Sequence, residues 1–211
     1  SLTQVKSQKD LEELSKHFAY KDTSPHLAYV LNQMNNFKIH YFITPFSDKL
    51  KWKDDSQKAF TYAIAKQEST LLPALVSTSY ALGMMQIMPF NVQPFAKSLK
   101  RDNITLEDMF DPITALEFGT FYLDDLSREF KHQLFVSYAY NGGPSFLRRV
   151  LKSKMLFLKN RNYEPWLSME LIPYRESRDY GLRVIANYIV YQATFGNHIN
   201  LEDYLKQTLV N

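Results

Sequence analysis

Apolar side chains recur along this chain at spacings of three and four and nowhere alternate for the length of a strand, which restricts it to packed helices. The clearest stretch opens at Asp111-Pro112, an N-cap followed by proline at the first helical position, and continues through Ile113, Leu116, Leu123, Leu126 and Phe130. It is expected to form the longest central helix. Upstream, Leu11, Leu14 and Phe18 mark one short amphipathic helix, and Leu27, Val30, Leu31, Met34 and Phe37 mark a second. Residues 45 to 53 read as a connector. Asp54, Asp55 and Ser56 then offer N-caps for a helix through Ala59, Phe60, Ala63 and Ile64 that ends near Leu72, before Pro73. Further helical patterns cover about 133 to 140, 144 to 158 and 175 to 195. Six glycines and nine prolines in 211 residues also favour helices joined by brief turns, so the expected fold class is all-α.

With 45% hydrophobic and 15% aromatic residues, the chain can bury a substantial core as one domain with a short appendage. The formal charge is +3, with 25 basic and 22 acidic side chains interleaved, which gives no support to a nucleic-acid partner. Absence of cysteine excludes a disulfide framework, a thiol nucleophile and a Cys-ligated metal. His17, His26, His40, His132 and His198 lack metal-ligand spacing, so neither metal nor other cofactor is expected. No apolar run approaches the ~20 residues needed to span a bilayer. The opening Ser-Leu-Thr-Gln-Val-Lys does not read as a signal peptide, and without an initiator Met it leaves location undecided.

The first chemical feature is Ala-Lys-Gln-Glu-Ser, residues 65 to 69. Glu68 lies four residues beyond Ile64 and eight beyond Phe60, so it shares their inward face. Desolvation there would raise its pKa toward the value a general acid needs near neutral pH. The same spacing also suits a solvated glutamate at the helix rim. Spacing alone leaves both readings open.

Downstream motifs change this balance. Gly83-Met84-Met85-Gln86-Ile87-Met88-Pro89 follows Gln67-Glu68-Ser69. Next in order come Asp111-Pro112 with Gly119 and Tyr122-Leu123, Ala139-Tyr140-Asn141-Gly142-Gly143-Pro144, and Glu170-Leu171-Ile172-Pro173-Tyr174. This ordered set resembles the soluble lytic transglycosylases, relatives of goose-type lysozymes, over about residues 55 to 195. Two positions depart from the family pattern: Tyr80 stands where glycine is usual, and Gly142 where alanine is usual.

The resemblance implies a lysozyme-like, goose-type helical catalytic domain over 51–211. Residues 1–50 would be a helical extension or the tail of an upstream helical domain. It also implies a peptidoglycan substrate. Glu68 matches the catalytic glutamate, which protonates the glycosidic oxygen between N-acetylmuramic acid and N-acetylglucosamine. As carboxylate it then takes a proton from the muramoyl 6-hydroxyl, leaving a 1,6-anhydro product. Ser77 and Gln86 fall on groove-lining positions, although either residue type also serves in turns and caps. Tyr140 and Asn141 match positions beside the acid. Met84, Met85 and Met88 read most simply as flexible core filler, with part of the floor for an N-acetyl group as a second reading for Met88. Glu170 matches a second family glutamate, a hydrogen-bond partner to the cleft or a structural ion pair. Tyr138 is assigned to packing. A periplasmic location follows from the resemblance alone, and partners in cell-wall synthesis or secretion are not specified by these residues. Two alternatives stay open: a hydrolytic goose-type lysozyme, in which water attacks, and a wall-binding module without activity.

Overall fold

A computed structural model describes residues 20–34 and 41–209, and among them every extended element is helical. In chain order the α-helices are α1 (Tyr20–Met34), α2 (Asp55–Ser69), α3 (Pro89–Leu99), α4 (Pro112–Phe130) and α5 (Gln133–Gly142). They continue with α6 (Pro144–Lys152), α7 (Trp166–Glu170), α8 (Arg175–Thr194) and α9 (Leu201–Lys206). Short 3-10 turns occupy Ser47–Lys49 and Glu107–Phe110. The helix expected around Leu11, Leu14 and Phe18 lies outside the described residues, as does Phe37 of the second pattern.

The Asp54 carboxylate accepts from the Gln57 amide at 2.8 Å and starts α2. Asp111 does the same for α4 through Thr114, with Pro112 following. α2 stops at Ser69, three residues before the expected end. Thr70 and Leu71 both take left-handed φ (52° and 69°) and return their amides to Lys66 and Ala65. α6 likewise ends at Lys152 rather than near 158, and the following stretch turns through positive φ at Lys154 and Phe157.

Seven consecutive residues of α2, Ala59 to Ala65, are buried, so this helix is surrounded by the others. It packs chiefly on α8, where the Phe60 and Tyr188 rings meet edge to face at 5.8 Å and Ser56 bonds the Tyr188 hydroxyl at 2.8 Å. α5 packs on α8 beside it, and α4 closes the other side. The sequence expectation is corrected here. At 20 residues α8 exceeds the 19-residue α4, and α2 is the helix enclosed by the rest. Tyr180, Tyr188 and Tyr191 supply much of the buried face of α8, and their hydroxyls weaken the apolar periodicity that identifies α4.

The segment from Val76 to Ile87 forms neither helix nor sheet. Two isolated antiparallel bridges, Val76 with Leu82 and Leu82 with Ile87, fold it into a compact loop. Ser69 Oγ donates to the Met84 carbonyl at 2.8 Å and Tyr140 to the Met85 carbonyl at 2.7 Å, so the loop is fastened to α2 and α5. Tyr80, at the unusual position, sits in this loop with φ 63° and is 73% exposed, a backbone setting in which glycine would be unstrained. Gly83 has φ 72°, and a Cβ there would stand 1.8 Å from the Met109 carbonyl oxygen. Gly83→Ala should therefore destabilise the fold by roughly 3 kcal/mol or more, read as a lowered urea midpoint. A change under about 0.5 kcal/mol would mean that the loop is not packed this closely.

Candidate active site

Glu68 occupies the last turn of α2, where the enclosed helix reaches a cavity of about 310 Å³. Gln67, Glu68, Asn141, Glu176, Asp179, Tyr180 and Arg183 line it. The last four share one face of α8 at i, i+3, i+4, i+7 spacing, while Asn141 arrives from the end of α5. Their registers depend on close helix contact. A Cβ at Gly181 would lie 2.3 Å from the Tyr138 ring, so glycine lets α5 and α8 approach beside Tyr180.

Tyr180 donates its hydroxyl to Glu68 Oε1 at 2.6 Å. Burial pushes the Glu68 carboxyl from the ordinary 4.5 up to about 7; the Tyr180 hydrogen bond opposes that rise and the negative charge of Glu176 adds to it. Position at a helix C-terminus also disfavours a negative charge. Tyr180 and Tyr140 are both held well above the usual phenol range, chiefly by burial and then by the charge of Glu68, so both remain protonated donors. The Tyr140 hydrogen goes to the Met85 carbonyl. Its ring leans on Tyr122 at 5.3 Å, and Tyr122 leans on Phe95 at 5.0 Å. Asn141 Oδ1 accepts from Ser177 at 2.8 Å and its amide nitrogen reaches Glu176 at 3.4 Å, which fixes the amide at the cavity edge.

Of the residues singled out in the sequence, Glu68 and Asn141 meet in the cavity, and Tyr140 lies close enough for the Glu68 charge to act on it. Ser77 Oγ accepts from the amides of Ser79 and Ala81 and holds a turn. Gln86 is buried with φ 49°, and its amide donates to the carbonyls of Gly83 and Leu75. Met88 is half-buried at the N-cap of α3. Glu170 ends α7, exposed, and does not line the cavity around Glu68. Tyr138 is fully buried, its ring against Gly181. The cavity residues that sequence reasoning missed are Gln67, Glu176, Asp179, Tyr180 and Arg183. Four of them were marked only by a helical polar face directly after Pro173-Tyr174.

The family model for the transglycosylase SLT domain matches residues 45–162. The chain belongs to the SLT-domain family. The SLT match contains Glu68, Tyr140 and Asn141, while α8 with Tyr180 follows it. The chain is 31% identical over 153 residues to the soluble lytic murein transglycosylase of Salmonella typhimurium, covering 72% of this chain and 23% of that protein. The Escherichia coli K12 protein of the same name is 30% identical over 142 residues, covering 66% and 21%. This SLT chain thus spans about a quarter of the length of those relatives. Among solved structures, the 70 kDa soluble lytic transglycosylase of Escherichia coli superposes with a TM-score of 0.72 at 24% identity, over 100% of this chain and 33% of that one. The Pseudomonas aeruginosa lytic transglycosylase Slt gives 0.70 at 18% identity, over 96% and 33%. The lysozyme-like all-α fold expected from the motifs is therefore the observed one.

The hydrogen bond from Tyr180 favours the ionised form of Glu68, so removing it has a definite sign. In Tyr180→Phe the Glu68 pKa should rise above about 7. A reaction needing protonated Glu68 then keeps its kcat/KM to higher pH, and the alkaline limb moves up. A limb that moves down would show that Tyr180 does not bond the ionised carboxyl.

Proposed function

We propose that the chain is a lytic transglycosylase acting on peptidoglycan, with Glu68 as its acid and base. The observation that carries this reading is the state of Glu68: an SLT-domain glutamate whose carboxyl is held protonated to about pH 7 by burial and oriented through one oxygen by Tyr180. With Oε1 engaged, Oε2 delivers the proton to the glycosidic oxygen between N-acetylmuramic acid and N-acetylglucosamine. The resulting carboxylate, steadied by the Tyr180 hydrogen bond, takes the proton of the muramoyl 6-hydroxyl as that oxygen attacks the anomeric carbon. The bond to N-acetylglucosamine breaks, a 1,6-anhydro ring closes, and Glu68 ends protonated as it began. No water is consumed.

Asn141 and Tyr140 would border the reacting sugar. Met88 and Glu170 would meet it farther along the groove, and Ser77 and Gln86 would do so from the loop that they brace. Residues 51–211 would make the catalytic unit and 1–50 an extension of it. Similarity to soluble lytic murein transglycosylases of Gram-negative bacteria supports a periplasmic site of action. No helix among the described residues is long and apolar enough to cross a membrane.

Intramolecular attack by an aligned hydroxyl reaches effective concentrations on the order of 10⁵ M or more, so water should lose the competition. Purified peptidoglycan should be released almost wholly as anhydromuropeptides, each lighter by one water than its hydrolysed counterpart. Glu68→Gln should remain folded and lose at least ~100-fold in turnover, the scale of a lost general acid. Mass spectrometry in heavy-oxygen water decides the matter. Reducing ends carrying the label would make the chain a hydrolase of goose-type lysozyme kind, and full activity of folded Glu68→Gln would remove Glu68 from the chemistry.

A further inference from the structure

Residues 144 to 163 carry six cations, Arg148, Arg149, Lys152, Lys154, Lys159 and Arg161, and no aspartate or glutamate, although the whole chain is nearly balanced at 25 basic and 22 acidic side chains. α6 turns Phe146, Leu147 and Val150 inward, which leaves Arg148, Arg149 and Lys152 on its outer face. Lys154 and Lys159 are exposed in the stretch that follows. Glu129 neutralises Arg148 from α4, and Glu164, the first carboxylate after the run, has a buried side chain that accepts from Arg161 and Ser168. Arg149, Lys152, Lys154 and Lys159 therefore set the sign of this face, with the exposed Glu170 beyond them on α7.

The same region exposes large apolar side chains. Met155 is 68% exposed, Tyr163 83% and Trp166 41%, and Leu171 and Tyr174 follow, both exposed. A cavity of about 460 Å³ brings the two kinds of group together, with Arg149 and Val150 of α6 on one side, Met155 and Leu156 beside them, and Leu171 and Tyr174 opposite. None of the described residues that line it also lines the cavity around Glu68. Solvated cations beside exposed methionine, tyrosine and tryptophan fit the boundary between phosphate and hydrocarbon: cations for headgroup phosphates, amphipathic rings at headgroup level, apolar tips below them. Three of the four cations are lysines, point charges on flexible stems. Such charges suit many laterally mobile phosphates better than the fixed, planar carboxylates of a protein partner, which favour arginine.

We propose that this face docks on an anionic phospholipid surface, with Arg149, Lys152, Lys154 and Lys159 against headgroup phosphates and Met155, Tyr163 and Trp166 entering the boundary between headgroups and acyl chains. The inference does not rest on the peptidoglycan reading of the Glu68 site. Each cation near such a surface raises partition about five-fold, so four of them with a few apolar tips give reversible, peripheral binding. The attraction is screened by salt, because the Debye length is only about 10 Å at 0.1 M. Docking in this way leaves the cavity between α2, α5 and α8 open.

The test mixes the full chain with vesicles of phosphatidylcholine alone or of phosphatidylcholine and phosphatidylglycerol in equal parts, and measures co-sedimentation. Wild type should bind the anionic vesicles at low ionic strength, release them as salt is raised, and bind the neutral ones far less. Lys152→Gln combined with Lys154→Gln should weaken partition about twenty-five-fold, five-fold for each charge. The same charge change at Lys97 and Lys100, exposed on and just after α3, should alter it less than about two-fold. All four side chains are exposed, so these variants keep the core. Trp52 is half-buried and bonded to the Ser47 carbonyl, which leaves Trp166 as the tryptophan placed to enter the lipid. Emission should shift to the blue on binding, and Trp166→Phe should abolish that shift. Failure to sediment with anionic vesicles at low salt would overturn the proposal and leave the face to an acidic protein. Equal losses from the two lysine pairs would overturn it as well, since net charge rather than this face would then hold the chain. An emission unchanged on binding would contradict it by placing Trp166 outside the boundary. None of these readouts uses turnover, so a failure of the peptidoglycan reading would leave them unaffected.

Discussion

The enclosure of α2 is the constraint on which the other features depend. A helix buried from Ala59 to Ala65 can expose its polar end only where its neighbours part, and they part at its last turn, beside Glu68. Two consecutive left-handed residues, Thr70 and Leu71, stop the helix there and turn the chain toward the loop of Val76 to Ile87. Ser69 and Tyr140 then bind successive carbonyls of that loop, Met84 and Met85. One short stretch therefore sets the depth of the acid, the end of the helix that carries it and the position of the adjoining wall.

Such placement opposes stability. The folded chain holds the Glu68 proton more tightly than the unfolded chain, so ionising this group weakens the fold. The penalty is absent below the ordinary carboxylate value of 4.5, grows as pH rises, and is complete above about 7. Its size is on the order of 3 kcal/mol, a large fraction of the stability of a domain. Tyr180 reduces it by bonding the ionised oxygen, and Glu176 increases it. A fold selected for stability alone would place an apolar residue or a solvated one at this position.

Helices were most legible in the sequence where a capping residue preceded apolar positions spaced three and four apart. α4 declares itself by its cap, its proline and its stripe, and α2 by its cap. α8 was located without its prominence, because its buried face is built from tyrosines that read as polar. α3, α7 and α9 carried too short or too Pro-interrupted a pattern to be read. At the site, Glu68 was readable from the ordered motifs, since the apolar face it shares with Phe60 and Ile64 suits a solvated glutamate at the helix rim as well. Tyr180 was not, since no spacing rule links a hydroxyl on α8 to a carboxyl 112 positions earlier. Ser77 and Gln86 were marked by motif, and their hydrogen bonds within the loop of Val76 to Ile87 appear only once that loop is folded. The carboxylate that acts on Glu68 is Glu176 rather than the more conspicuous Glu170, because α8 turns the former into the cavity while Glu170 ends α7 in solvent.

The central claim is that packing alone, with no ligand bound, keeps Glu68 protonated to neutral pH. Carboxyl carbon-13 chemical shifts of the glutamates, with the Glu68 signal assigned through Glu68→Gln, report that proton directly. The account predicts a midpoint at about 7 for this signal. A midpoint near the ordinary 4.5 would contradict it, since Glu68 would then be a solvated carboxylate at a helix end and the cavity would supply no acid.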